Sequence, residues 1–252
     1  MANVITKSLL VSILFVGLAY AVRTLFKTDL YLSDVGGLGS FVTVFGTLYG
    51  IMSAFVVFEV WAQYNKTTSL IDQEALGLER LFRLTLYFRD AKLTKDMTRV
   101  ITAYATKVIE GKFQKIGSGQ RNKENGILFR NISEVIREIK FDDDHDTIVY
   151  QQILDHYGKL GQIRTDRINQ SLTRLPVLLK VFLYVTSGIA VGTFIIMPFA
   201  QFLYQVFVVI GVGFVIAMLI QLVEDLDNPF VGNWNITPEP FQRALDHINE
   251  EY

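Results

Sequence analysis

A short acidic run near the carboxyl end of the chain contains the residues best suited to chemistry. Its oxygen-bearing side chains are Glu224, Asp225, Asp227 and Asn228. Together they could supply only part of the roughly six to eight oxygen ligands that a hard cation such as Ca²⁺ takes. Because the run directly follows an uncharged apolar stretch, a polar helix end at the water interface is the favoured interpretation and a metal site is the weaker alternative. We therefore expect no cofactor, with Ca²⁺ as the one ion that these residues would suit.

Catalysis has little support in the sequence. The histidines, His145, His156 and His247, are too far apart to share a metal ion by local spacing. The chain has no cysteine, which excludes disulfides and thiolate metal sites. The glycine-rich stretch after Asp34 is similar to a phosphate-binding loop, but no strand precedes it. The sequence therefore predicts that the protein is not an enzyme.

A different pattern lies inside the apolar stretch Leu38–Phe58. Small or hydroxylated residues recur in it at steps of three and four, which places them on one face of a helix. They are Ser40, Thr43, Thr47, Gly50 and Ala54. A face of this kind allows a second helix to approach closely, or it lines a pore where water is adjacent. Both alternatives stay open at this point, and these residues are the candidate pore lining.

The composition of the whole chain is that of a membrane protein. Of its 252 residues, 50% are hydrophobic, which is too apolar for an ordinary soluble domain. The net charge of −1 gives no reason to expect nucleic acid as a partner. Four stretches approach the roughly 20 apolar residues that a helix needs to cross a bilayer. They are Ser8–Val22, Leu38–Phe58, Val181–Ala200 and Phe202–Val223. The first ends in Ala19-Tyr20-Ala21, which is similar to a leader-cleavage site, but only one lysine precedes it, so a retained span is favoured.

The segment between the second and third stretches is polar and has helical periodicity. Apolar residues recur in it every three or four positions, which predicts about four amphipathic helices around a shared core. The sets are Ile71, Ala75, Leu78 and Phe82; Met97, Ile101, Tyr104 and Val108; Leu128, Ile132, Val135 and Ile139; and Val149, Ile153, Tyr157 and Leu160. We predict an all-α integral membrane protein of four transmembrane helices, with a helical domain inserted between the second and third spans. Its parts are residues 1–63 (two spans), 64–174 (helical domain), 175–223 (two spans) and 224–252 (tail).

The distribution of positive charge predicts the orientation. Lys66, Arg80 and Arg83 follow the second span and Lys180 precedes the third, whereas the turn around Pro198 has no charge. Because positive residues favour the cytosolic side, we expect the helical domain in the cytosol, and an even number of spans then places both termini there. The expected location is the plasma membrane, or the inner membrane of a bacterium, with membrane lipid as a partner of the multi-pass chain.

Three parts of the chain resemble the bestrophin-like domain family. The run Asp227–Gly232, followed by Ile236–Phe241, is similar to the family's C-terminal signature. Leu70–Leu84 looks like its first cytosolic helix, and Arg164–Phe182 looks like the helix that runs through a leucine–proline pair into the third span. With the order of two spans, a helical domain and two spans, the resemblance covers nearly the whole chain.

This resemblance implies a function and an assembly. True bestrophins are pentameric anion channels opened by calcium. A related protein would be a homo-oligomer, a pentamer by resemblance, that conducts small inorganic ions, anions ahead of cations, through a central pore lined by the second span. The family's calcium clasp uses a longer acidic run after its asparagine–proline–phenylalanine motif, whereas here Val231-Gly232-Asn233 follows Phe230. A non-conducting membrane scaffold or regulator that acts through its cytosolic helices is the alternative.

Three large apolar side chains lie after Pro229, namely Phe230, Trp234 and Phe241. Such side chains seldom remain together in water, and each stabilises a fold by roughly 1.5–3 kcal/mol when it is buried. We therefore expect the tail to dock onto the helical domain of the same or a neighbouring subunit.

Overall fold

The computed structural model describes residues 2–26, 35–111, 123–140 and 144–251. Every regular element in these residues is an α-helix, as the sequence predicts. The helices are α1 (Ala2–Phe26), α2 (Val35–Leu86), α3 (Ala91–Glu110), α4 (Lys123–Arg137), α5 (Asp144–Leu172), α6 (Val177–Ile196), α7 (Phe202–Asp227) and α8 (Glu239–Glu251).

Four helical stretches are long and apolar enough to cross a membrane, and they contain α1, the first part of α2, α6 and α7. Their surfaces expose large apolar side chains such as Leu14, Phe55, Leu178 and Phe207. Water would disfavour so large an apolar surface, whereas lipid accommodates it. The prediction of four candidate spans is therefore confirmed, and the chain is a membrane protein.

Two helices extend beyond the apolar stretches predicted as spans. Helix α2 does not end at Phe58, because it continues to Leu86 and is 52 residues long. No proline lies between these positions to stop the helix, so the segment predicted as a separate first helix of the domain is the second part of α2. Helix α6, which contains most of the third predicted stretch Val181–Ala200, runs from Val177 to Ile196, because Pro176 forms its N-cap and the helix starts directly after it.

The chain divides into two compact units, and each unit combines segments that are distant in sequence. The span unit comprises Met1–Ala62 and Arg174–Asp227. The helical unit comprises Gln63–Thr173 and Asn228–Tyr252. One boundary therefore falls inside α2, and the residues that follow α7 belong to the helical unit.

The span unit is held together by the packing of α1, α6 and α7. Helix α1 packs along α7, and α6 packs against both. Gly213 of α7 permits a close approach, since a Cβ at this position would lie 2.8 Å from Cδ2 of Phe15. A hydrogen bond between the hydroxyls of Tyr49 in α2 and Ser187 in α6 (2.9 Å) links these two helices. Such bonds stabilise helix pairs in lipid.

The helical unit has a core built largely from the predicted periodic residues. The predicted apolar faces of α2, α3 and α5 all point inward. Helix α4 is rotated relative to the prediction, since Ile132 is buried together with Phe129 and Ile136, while Leu128, Val135 and Ile139 are only partly buried. The reason is aromatic packing. The Phe129 ring stacks on Tyr157 at 5.1 Å and meets the Tyr104 ring edge-on at 5.5 Å.

The carboxyl-terminal helix α8 is absent from the sequence predictions. Its apolar residues Phe241, Ala244, Leu245 and Ile248 follow helical spacing and are buried in the core of the helical unit. The periodic signal is therefore present in the stretch for which the sequence predicts only a docking tail. Helix α7 ends at Asp227, as the following Asn228-Pro229 pair predicts, because the residue before a proline is disfavoured in helical geometry.

Candidate pore stripe and buried carboxylates

The candidate pore lining forms an exposed stripe on the first part of α2. Ser40, Thr43, Thr47, Gly50 and Ala54 are all exposed. The hydroxyls donate to carbonyl oxygens one turn earlier in the same helix, at 3.1 Å for Ser40, 3.0 Å for Thr43 and 2.8 Å for Thr47. Because these hydrogen bonds are internal to the helix, the stripe needs no polar partner from another element.

The stripe lies on a different side of α2 from the residues that are packed. Tyr49 packs against the core of the span unit, and Ser53, Val56 and Val60 on the same side of the helix are buried. At about 100° of rotation per residue, the stripe points away from this side. A Cβ added at Gly50 would meet nothing within 4 Å. Within the described residues, therefore, no helix of the same chain covers the stripe.

A third side of α2, next to the stripe, carries large apolar groups. They are Phe41, Val44, Leu48, Ile51 and Phe55, all exposed. Side chains of this size suit lipid or the apolar surface of another copy of the chain. The small and hydroxylated stripe therefore has a sharp lateral border, which separates it from the surface that lipid or a neighbour would contact.

The acidic run at the end of α7 is engaged in interactions within the span unit. Asp227 is 4% exposed. Its carboxylate accepts a hydrogen bond from the backbone N–H of Leu175 (2.5 Å) and forms an ion pair with Nζ of Lys180 (2.5 Å). Glu224 accepts a hydrogen bond from the Tyr184 hydroxyl. The two carboxylates thus attach the end of α7 to the connection before α6 and to α6 itself.

These contacts compete with metal binding by the acidic run at Glu224, Asp225, Asp227 and Asn228. Both carboxylate oxygens of Asp227 accept hydrogen bonds from nitrogen donors, and a cation would have to displace them. Asp225 and Asn228 are half-buried, and Glu224 is exposed. In residues 2–26, 35–111, 123–140 and 144–251, no three side chains of His, Asp or Glu are grouped in a way that could hold a metal ion. The geometry favours the helix-end interpretation of these residues, and Ca²⁺ binding here stays a prediction.

A buried charged cluster in the helical unit was missed in the sequence. Glu74 of α2 and Arg167 of α5 form an ion pair with side chains 0% and 2% exposed. Arg167 donates from Nε to Oε2 of Glu74 (2.5 Å) and from Nη2 to Oε1 (3.3 Å), and the Tyr104 hydroxyl donates to Oε1 (2.5 Å). Burial raises the pKa of Tyr104 above its usual value, and the Glu74 carboxylate raises it further.

The cluster left one usable signal in the sequence. Glu74 lies three residues after Ile71 and four before Leu78, so it falls on the apolar face of α2. Arg167 lies seven residues after Leu160, on the apolar face of α5. A charged residue on an apolar face requires a partner of opposite charge. The periodicity therefore indicates that each residue is paired, but it cannot say with which residue.

The histidines have structural contacts. His156 forms a hydrogen bond with the carbonyl oxygen of Gly77 (2.9 Å), and His247 lies 3.2 Å from a carboxylate oxygen of Glu79. The side chain of His145 lies outside the described part of the chain. Each of these contacts joins α2 to another helix, α5 or α8.

The predicted docking residues of the tail lie in the helical unit. Phe230 is 1% exposed and Phe241 is 0% exposed, and both belong to the core of that unit. Trp234 is half-buried. A hydrogen bond from the N–H of Ile236 to the carbonyl oxygen of Pro229 (2.8 Å) closes the loop between the two phenylalanines.

Comparisons with known proteins agree with the fold. A variant of a bacterial bestrophin homolog from Klebsiella pneumoniae is similar in structure, with a TM-score of 0.71 and 13% sequence identity over 98% of this chain and 96% of the other. The same organism's bestrophin homolog in another crystal structure has a TM-score of 0.66 and 12% identity, over 99% of this chain and 96% of that one. A further structure, described as a membrane protein, has a TM-score of 0.70 and 14% identity, over 98% and 96% of the two chains.

The sequence comparisons narrow this likeness to a family. No curated protein matches the chain. The sequence model of the Bestrophin-like domain matches residues 9–241. This range includes the stripe on α2, the buried Glu74–Arg167 pair and the acidic end of α7. Because the match extends over most of the chain, the protein belongs to the bestrophin-like domain family.

Proposed function

We propose that the protein is a homo-oligomeric ion channel with a central pore lined by the stripe on α2. The observation that carries this proposal is the exposure of Ser40, Thr43, Thr47, Gly50 and Ala54 on the side of α2 that faces away from its own chain. Their hydroxyls are already bonded within the helix, so the stripe tolerates a narrow, partly hydrated passage.

The pore lies on the axis of the oligomer rather than inside one subunit. The spans of one chain pack against each other around apolar side chains such as Ala190 and Val209. A closed ring of copies can bring the uncovered sides of α2 together around one axis. Five copies are the number that the family resemblance implies.

The permeant species is a small inorganic ion, an anion ahead of a cation. This preference comes from the family resemblance. The stripe itself contains no charged residue, and its Thr43 and Thr47 hydroxyls donate their hydrogen bonds to backbone carbonyl oxygens. The hydroxyls by themselves therefore do not favour an anion, and the charge selectivity has to be measured directly.

The protein is further proposed to place its helical unit and both termini in the cytosol. The support is the positive charge of residues that flank the spans, such as Lys66, Arg80 and Lys180. In a bacterium the location would be the inner membrane, and elsewhere the plasma membrane. Membrane lipid then covers the apolar outer surfaces of α1, α6 and α7.

Reconstitution into planar bilayers tests the proposal. The expected result is unitary current whose reversal potential in asymmetric salt lies towards the equilibrium potential of the anion. Thr47→Trp should reduce the conductance at least several-fold while the oligomer keeps its size on a sizing column. Leu48→Trp is the matched control, because Leu48 lies on the large apolar side, and it should leave the conductance unchanged.

The outcomes separate the alternatives. Equal effects of Thr47→Trp and Leu48→Trp on the conductance would show that the stripe does not line the pore. A reversal potential towards the equilibrium potential of the cation would show that the protein is a cation channel, so that the channel function would stand and the anion preference would be wrong. The absence of any current from an intact oligomer would favour a scaffold or regulator.

A groove in the helical unit gives this scaffold some structural support. It has a volume of about 370 Å³, lies between α3 and α4, and is lined by Asp96, Val100, Glu134 and Glu138 among others. Its charged lining residues are Asp96, Glu134, Glu138 and one arginine, Arg99, and their net negative charge suits a basic protein segment. A scaffold of this kind would act through the helical unit and would need no pore lining.

A further inference from the structure

We propose that the buried cluster of Glu74, Tyr104 and Arg167 is a register lock for α2. It fixes the axial position and the rotation of this helix against α5 and α3. The consequence for conduction rests on the proposed function, because α2 also carries the stripe that would line the pore. The lock itself is a property of the helical unit and can be tested without any current.

The geometry of the cluster is directional. The Arg167 guanidinium bonds both carboxylate oxygens of Glu74, at 2.5 and 3.3 Å, and the Tyr104 hydroxyl bonds one of them at 2.5 Å. A planar fork and a carboxylate match in only one relative orientation. Because the three side chains come from α2, α3 and α5, all three helices are held in one arrangement.

Apolar packing alone does not define the register so well. The face of α2 toward the core repeats apolar residues at Ile71, Ala75, Leu78 and Phe82. A shift by one helical turn, about 5.4 Å, would replace each apolar group with another. The same shift would separate Glu74 from Arg167 and leave two buried charges without their partners, which is strongly unfavourable. Buried polar groups are known to specify register in this way.

A close contact one turn along α2 supports the same register. A Cβ added at Gly77 would lie 2.7 Å from Cδ1 of Leu160 in α5. The His156 ring also bonds the Gly77 carbonyl oxygen at 2.9 Å. A shift by one turn would bring Gln73 or Leu81 to this narrow place, and the Leu160 side chain would then have to move. Glycine and the ion pair therefore select the same alignment by independent means.

The lock reaches the stripe through the helix itself. Helix α2 is uninterrupted over 52 residues and contains both Glu74 and the stripe. A shift by four residues moves a helix by about 6 Å along its axis and turns it by about 40°. A change of register that α2 transmits along its length would therefore displace Thr47 and its neighbours.

Disulfide crosslinking measures the register directly, because the chain has no cysteine of its own. The double variant Gly77→Cys with Leu160→Cys reports the register seen in the structure, and it removes the Leu160 side chain that crowds Gly77. Gln73→Cys with Leu160→Cys and Leu81→Cys with Leu160→Cys report shifts of one turn in either direction. In the otherwise unchanged chain, a mild oxidant should crosslink the first pair at least several-fold more than the other two.

The test variant replaces the ion pair by Glu74→Met with Arg167→Met. Apolar groups of similar size keep buried sites folded, so we expect an intact oligomer on a sizing column. The lock predicts at least a three-fold loss of crosslinking in the first pair, with crosslinks appearing in a shifted pair. Crosslinking confined to the first pair would overturn the proposal. Loss of the fold would overturn it too, since the cluster would then act as a general stabiliser.

Conduction is measured separately on the same Glu74→Met, Arg167→Met protein without the added cysteines. If the proposed channel function holds and α2 transmits the shift, its single-channel amplitudes should spread over several levels, because the stripe would take several positions. Uniform wild-type amplitudes together with shifted crosslinks would disprove the link between the lock and the pore. Absence of current in the unchanged protein would contradict the proposed function and leave the crosslinking result valid.

Discussion

At the scale of single residues, the charged groups of this protein divide into exposed pairs and deeply buried ones. Asp155 and Lys159 form an exposed pair, with both side chains 66% exposed. Asp227, in contrast, is 4% exposed and bonds both the backbone of Leu175 and the Lys180 ammonium. Exposed pairs contribute little to stability, whereas removal of one partner from a buried pair is costly. Substitution of a buried carboxylate should therefore lower the free energy of unfolding more than substitution of an exposed one.

Asp227→Asn tests this difference. The change keeps an acceptor for the Leu175 N–H but removes the charge that pairs with Lys180, so we expect a loss of about 1–3 kcal/mol in the free energy of unfolding. Thermal unfolding in detergent measures it. Asp155→Asn is the matched control and should cost less than about 0.5 kcal/mol. Equal melting temperatures for the two variants would show that the Asp227 contacts add no stability.

Tyr104 predicts a dependence of stability on pH. Burial and the adjacent Glu74 carboxylate raise the pKa of Tyr104 in the folded state, while in the unfolded chain it is about 10. The folded state therefore holds the proton more tightly. Its stabilising effect is complete below about pH 10 and is lost as the pH rises above that value.

The measurement is the melting temperature in detergent between about pH 9 and 11. Tyr104→Phe has no proton to lose at this position, so its melting temperature should fall less steeply above about pH 10 than that of the unchanged protein. The two proteins differ only at residue 104, so the difference between the two curves reports on this position. Parallel curves would contradict the role assigned to Tyr104.

At the scale of elements, the carboxyl-terminal helix α8 is an integral part of the helical unit. Helix α8 packs against α3, and its Phe241 and Ile248 are fully buried. Polar contacts join it to α2, where Glu79 lies near His247 and Asp72 lies near Arg243. A segment with this many buried apolar groups is a structural element and not a passive terminus.

Phe241→Ala should therefore destabilise the protein strongly. Removal of a fully buried phenylalanine side chain leaves a cavity and typically costs about 3–5 kcal/mol. Thermal unfolding in detergent checks the effect. Tyr87→Ala is the control, because Tyr87 is 61% exposed, and its melting temperature should stay within about 2 °C of the unchanged protein. A small effect of Phe241→Ala would mean that α8 is not part of the folded core in solution.

At the scale of the whole molecule, the open question is the orientation in the membrane. With the helical unit in the cytosol, the turn between α6 and α7 faces the outside. Glu138 in the helical unit and Gln201 in this turn are both exposed. Because the chain has no cysteine, a single introduced cysteine reports its own position without background.

Gln201→Cys should react with an impermeant thiol reagent in intact cells, and Glu138→Cys should react only after the cells are opened. The physical reason is the retention of positive flanking residues on the cytosolic side. The chain without cysteine provides the blank. If only Glu138→Cys were labelled in intact cells, the helical unit would lie outside the cell and the predicted orientation would be wrong.

The sequence by itself determined the features that depend on local spacing. Runs of apolar residues long enough to cross a bilayer identified the four spans, and steps of three and four identified most of the core faces, such as that of Ile71 and Phe82 in α2. The Asn228-Pro229 pair identified the end of α7. These signals can be recognised locally because a helix repeats every 3.6 residues and a proline acts on its own neighbours.

Only the tertiary structure decided which distant residues meet. Glu74 pairs with Arg167, 93 positions away, and Asp227 pairs with Lys180, 47 positions away. The rotation of α4 relative to its predicted face depends on the ring packing of Phe129. The outward direction of the stripe around Thr47 depends on which side of α2 the other spans occupy. The choice of partner results from the packing of whole helices, so periodicity shows that a side chain is buried without showing what it touches.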